Sequence, residues 1–145
     1  MKKYFILSAL ILIFGSLQAQ KWQTDFKKAT EMAAQESKPI VLVFSGSDWC
    51  APCMKLEKEI WSTADFINYS NEHYILLKAD FPRKSKNTVD AQQKEANKQL
   101  AEKYNKSGFF PLVVILDKQG KVYGSLGYKK VSPKEYIALI DAMVK

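Results

Sequence analysis

The sequence predicts an α/β fold with a central mixed sheet of about four strands. Three observations lead there. The runs "PIVLVFS" (39–45), "YILLKAD" (74–80) and "PLVVILD" (111–117) are apolar and rich in branched residues, the composition of strands buried on both faces. Segments with helical spacing of apolar residues separate them. After the third run, "KQGK" supplies a turn and "VYGSLGY" (122–128) a return strand. The element order is α-β-α-β-α-β-β-α. Strands joined by a helical crossover are parallel neighbours in such an order, and the closing hairpin is antiparallel.

Residues 1–19 read as a signal peptide: Lys2 and Lys3, an apolar run from Tyr4 to Phe14, then Gly15, Ser16 and a small-residue site ending at Ala19. The apolar run is well short of the roughly 20 residues of a spanning helix. The expected product is therefore soluble and exported, periplasmic or secreted, with no stable membrane insertion after cleavage. In that oxidising space free thiols tend to become disulfides. Residues 20–145 have the size of one domain with a single core. Removal of Lys2 and Lys3 lowers the formal charge from +7 to +5, and the basic clusters Arg83–Lys86 and Tyr128–Lys130 stand among scattered acids. Neither carries a nucleic-acid-binding motif, so no nucleic acid is expected as a partner.

Trp22, Phe26, Ala29 and Ala33 recur at spacings of one helical face, and Pro39 stops that first helix. Gly46 to Trp49 turn the chain after the first strand. The segment from the cysteines through "CMKLEKEIW" (53–61) reads as the second helix, with Met54, Leu56 and Ile60 offered for packing. Ser62–Ser70 reads as a short helical piece, and His73, the sole histidine, precedes the second strand. Pro82–Asn87 is a charged loop. Residues 89–105 form a polar helix turning Val89, Ala96, Leu100 and Tyr104 inward, ended by Asn105 to Gly108. Ser132, Pro133 and Glu135 compose a capping box with proline at the first helical position, opening a C-terminal helix to Val144. No repeat, low-complexity linker or second domain interrupts this order.

Both cysteines, Cys50 and Cys53, lie in "VFSGSDWCAPCMKLEKE" (43–59), separated by Ala51 and Pro52. A structural bridge across two residues closes so small a loop that chain entropy gives it little stabilising effect. A closed zinc site wants four ligands, and the chain offers two thiols and one distant imidazole. A hydrolase would need His73 as base, and nothing marks it as one. A redox pair accounts for the local detail. A thiolate at a helix start is stabilised by free N–H groups and the dipole. Cys50, the more exposed sulfur, would attack a substrate disulfide and the buried Cys53 would resolve the mixed disulfide. Pro52 stiffens the first turn.

On "WCAPC", the buried strand before it, and "GFFPLVVILDKQGKV" (108–122), the chain resembles the thioredoxin family, and within it the exported thioredoxin-like thiol-disulfide proteins. The resemblance covers Trp22 to Lys145. It implies a thioredoxin-like three-layer α/β/α sandwich, no cofactor, no metal, and a cis-proline facing the active site at Pro111. Phe110 would then offer its N–H and C=O to an extended substrate strand, although it also reads as a plain core aromatic. One departure stands out. Well-known reductases of the family carry a buried acid in the strand before the motif, where this chain has Val43 and Phe44. Asp48, beside Trp49, reads as a loop or cap acid in water in preference to a proton relay.

The function expected is an exported thiol-disulfide oxidoreductase that reduces disulfides in protein substrates, as a monomer. Ala51 and Pro52 supply no charge of the kind that makes strong oxidants. Such a reductase needs an electron donor, expected to be a membrane thiol-disulfide transporter. Oxidase and isomerase activities are the less favoured directions. The alternative is a thioredoxin-fold binding module, or a copper(I) chaperone using the two soft thiolates.

Overall fold

The computed structural model describes residues 19–144; the signal-peptide expectation for 1–19 therefore lies, but for Ala19, outside the described residues. The elements are β1 (Trp22–Gln23), α1 (Phe26–Glu36), β2 (Ile40–Ser45), α2 (Ala51–Leu56) running on into a π-helical turn (Glu57–Trp61), and α3 (Ala64–His73). There follow β3 (Ile75–Asp80), a short 3-10 turn (Ser85–Asn87), α4 (Ala91–Tyr104), β4 (Leu112–Leu116), β5 (Val122–Leu126) and α5 (Pro133–Asp141).

The five strands form one open sheet in the order β1-β3-β2-β4-β5. As expected, β2 and β3 are parallel neighbours and β4 and β5 an antiparallel hairpin. β2 is central, with β4 antiparallel on its other side. Alternate residues of β2 feed two separate cores. Val41 and Val43 face Leu56, Ile60, Trp61, Phe66 and Tyr136 of the α2, α3 and α5 layer. Ile40, Leu42 and Phe44 face Ala29, Ala33 and Leu100 of the α1 and α4 layer. A strand with apolar partners on both sides has no wet face, which is why its sequence shows no alternation.

Three expectations need correction. The sheet has five strands rather than about four, because Trp22 and Gln23 pair in parallel with Leu76 and Leu77 of β3. Trp22 is thus not on the first helix. Asp25 caps that helix by accepting from the Lys28 N–H, so it begins at Phe26, and Trp22 sets its ring edge-on against Trp61 at 5.9 Å. Met54 does not pack: it is 45% exposed, whereas Leu56 and Ile60 are buried. In α4 the inward polar residue is Asn97, which donates to the Asp80 carbonyl and accepts from Gln93. The Ser132 capping box stands as expected, with Pro133 starting α5.

Candidate active site

β2 delivers the chain to the C-terminal edge of the sheet, and the loop Gly46 to Trp49 turns it into α2. Cys50 is the residue capping that helix: its backbone is extended (φ −96°, ψ 103°) and its Sγ accepts from the Cys53 N–H at 3.3 Å. Pro52 falls in the first turn, where its missing N–H leaves no intrahelical bond unmade. Cys50 and Cys53 are joined as a disulfide, with Cα atoms 5.2 Å apart. The expected difference in exposure is absent. Each cysteine is 4% exposed, Cys50 at the helix mouth included.

That loop is held by contacts from far along the chain. Trp49 donates from Nε1 to the Phe81 carbonyl at 2.7 Å, and its ring lies 5.4 Å from Phe110 and 3.9 Å beneath the Arg83 guanidinium. Gly46 is needed under it, since a Cβ there would come within 2.3 Å of the Trp49 ring. Asp48 accepts from the backbone N–H groups of Arg83 and Lys84 and from the Asn87 amide, each at 2.9 Å. These donors, the Arg83 N–H foremost and the Asn87 amide next, hold its carboxyl down at about pKa 2. An acid so held does not exchange protons near neutrality. Through these bonds it clasps the charged loop 82–87 onto the motif.

On the opposite side stand Phe110 and Pro111, joined by a cis peptide bond at the start of β4. Phe110 is half-buried and rests edge-on against both Trp49 and Phe81. The segment before it is fixed by the buried Asn105, which donates to the Phe109 carbonyl and accepts from the Phe109 N–H. Phe109 itself is 66% exposed. Ala51 and Pro52 are exposed at the helix start. Arg83, Asn87, Phe81 and Asn105 escaped the sequence reading. The aspartate in "GSDW" hinted at a clasp, but nothing local names its partner 35 residues away.

His73 ends α3 just before β3, whereas the cysteines follow β2. Because β2 and β3 are parallel, the imidazole and the sulfurs sit at opposite ends of the sheet. His73 stacks on Tyr69 at 4.0 Å. Neither a hydrolase nor a metal site assembles from it and the cysteines, and among the described residues no group of three or more His, Cys, Asp and Glu is placed to hold a metal ion.

Comparison with known proteins agrees with this geometry. Residues 26–143 match the thioredoxin-like domain. The chain belongs to the thioredoxin-like family. It is 30% identical over 125 residues to the disulfide bond reductase DsbH of Chlamydia pneumoniae, covering 86% of this chain and 73% of that one. A solved DsbH oxidoreductase structure superposes with a TM-score of 0.80 at 29% identity, over 88% of this chain and 85% of that one. The thioredoxin-related protein DsbJ of Chlamydia pneumoniae is 24% identical over 108 residues, which span 73% of this chain and 30% of DsbJ. With the Cys50–Cys53 pair in place, this thioredoxin-like chain is a thiol-disulfide oxidoreductase.

Proposed function

We propose that the protein is an exported protein-disulfide reductase in which Cys50 is the nucleophile and Cys53 the resolving thiol. The observation that carries the reading is the bonded pair at the mouth of a helix, with Cys50 Sγ accepting the Cys53 N–H. The same N–H that meets the sulfur in the disulfide stabilises a thiolate in the reduced protein. In the reduced form Cys50 thiolate attacks a substrate disulfide: one Cys50–substrate bond forms, and the other substrate sulfur leaves with the electron pair and takes a proton. Cys53 then attacks Cys50, releases the second substrate thiol and closes the protein disulfide. Two electrons pass to the substrate. A membrane thiol-disulfide transporter returns them, together with two protons, to the oxidised protein.

Support for the reducing direction comes from the motif, since Ala51 and Pro52 bring no cation to over-stabilise the thiolate, and from the similarity to a disulfide bond reductase. Export rests on the charged, apolar and small-residue layout of 1–19. Substrate strands pair with Phe110 ahead of Pro111, next in the chain to the exposed Phe109, and the protein acts as a monomer. The test is trapping. Cys53→Ser is expected to accumulate mixed disulfides with insulin through Cys50, and Cys50→Ser to accumulate none. Trapping that requires Cys53 instead would reverse the roles, and no trapping by either variant would remove the activity.

A further inference from the structure

We propose that loop 82–87 is a substrate-reading rim, with Arg83 as its specificity-determining residue, and that it selects disulfides whose cysteines are flanked by aspartate or glutamate. The inference deepens the reductase reading by naming a substrate class, and it rests on that reading. Between Pro82 and Thr88 the sequence "RKSKN" carries Arg83, Lys84 and Lys86 and no acid. The fold holds this charge against the motif, because Asp48 accepts from the Arg83 and Lys84 N–H groups and from the Asn87 amide, each at 2.9 Å. The loop backbone is tied down at the site while Arg83, Lys84 and Lys86 stay exposed.

Arg83 is the best placed of the three cations. Its guanidinium carbon lies 3.9 Å from the centre of the ring of Trp49, the residue before Cys50. The same ring lies 5.4 Å from that of Phe110, the residue before the cis-proline. One aromatic ring thus separates the cation from the backbone proposed to pair with substrate. A guanidinium resting on a ring gives up little freedom when it binds, and its N–H fork matches a carboxylate bidentately. Among the described residues no carboxylate forms an ion pair with Arg83, Lys84 or Lys86. The acids around them are engaged elsewhere. Asp48 meets the loop's own donors, Asp80 accepts from the Ser47 N–H and hydroxyl, and Glu57, in the cavity that Cys53 also lines, pairs with Lys78 at 3.0 Å. The segment leading into Phe110, Asn105 to Phe109, adds Lys106 and no acid.

A positive rim beside an exchange site acts at two ranges. At a distance it raises the rate of encounter with acidic chains. At contact the Arg83–carboxylate bond holds the flanking residue while Cys50 meets the disulfide. A basic flank is repelled instead, so the rim discriminates by sign. Salt weakens the effect, since exposed charges are screened beyond about 10 Å at 0.1 M and about 3 Å at 1 M. The exchange itself is the one already described: the dithiol passes two electrons to the substrate disulfide, which leaves as two thiols, and Cys50–Cys53 closes.

The experiment is single-turnover reduction, by the reduced protein, of three symmetric peptide disulfides that differ only in the residues flanking the cysteine: glutamate, glutamine or lysine. Peptide thiol is quantified after an acid quench, and each rate is divided by that of the same peptide with dithiothreitol. At low ionic strength the glutamate peptide is expected to react about 10-fold or more faster than the glutamine peptide, and the lysine peptide slowest. In about 1 M salt the spread is expected to shrink to within about twofold. Arg83→Gln with Lys86→Gln is expected to lose most of the preference. Lys118→Gln with Lys121→Gln removes the same charge beyond β4, whose end pairs with the start of β2 at the far end of the sheet, and is expected to keep it. Equal rates for the three peptides, or a preference lost alike in both double variants, overturns the rim and leaves the reductase reading intact. So does equal slowing of all three peptides by the Arg83 variant, which would mean that Arg83 only props Trp49. Reduction of none of the peptides overturns the reductase reading and the proposal with it.

Discussion

At the scale of single residues the site shows how a short polar side chain organises a surface loop. Asp48 is bound by three donors to loop 82–87, and its carboxyl titrates at about 2 in place of 3.8. A carboxyl whose folded value is depressed contributes stability that is complete above its unfolded value and is lost as pH falls through the folded one. The clasp is therefore expected to hold through mild acid and to release between about pH 4 and pH 2. Carbon NMR of the Asp48 carboxyl checks this. A midpoint near 2, with amide exchange at Arg83 and Lys84 rising in step, is the expected result, and a midpoint near 3.8 contradicts the clasp. The acid itself could be seen in the sequence, and so could its preference for a loop. Its partners could not, because Asn87 and the two backbone donors are close only after β3 has packed beside β2.

At the scale of elements the decisive piece is the loop from β2 into α2. Gly46 has no room for a Cβ, because the Trp49 ring that would meet it is pinned by the Phe81 carbonyl, Phe110 and Arg83. Gly46→Ala should push the indole out of place and cost on the order of 1–3 kcal/mol, the usual penalty of overpacking. Urea unfolding with tryptophan emission as the probe measures both effects; unchanged stability and emission would show that the ring is free to move. β2 was recognisable because residues buried on both faces leave an unbroken apolar run. α5 was recognisable because Ser132, Pro133 and Glu135 carry the cap within four positions. β1 was hidden, since two residues have no periodicity and Trp22 happens to fall at helical spacing from Phe26. Asn97 and Asn105 were hidden for a related reason. Each is buried because its amide answers a backbone group of another segment, Asp80 or Phe109, and a polar letter in a polar helix gives no sign of it.

At the scale of the whole molecule the parallel pairing of β2 and β3 separates the chain into two ends. The cysteines, Trp49, Phe110 and the Asp48 clasp gather where β2 finishes, and His73 with Tyr69, Tyr74 and Asp141 gathers where β3 begins. This polarity leaves the sulfurs with no imidazole and no added cation inside the motif. A helix start whose motif holds only the neutral Ala51 and Pro52 is the ground on which the reducing direction is proposed. The central claim, that the pair donates electrons to substrates, is tested most directly by equilibrating the protein with glutathione buffers and quantifying the Cys50–Cys53 disulfide. A reduction potential near that of thioredoxin, about −270 mV, is the result predicted, and one near about −120 mV, the range of strong periplasmic oxidants, would contradict it.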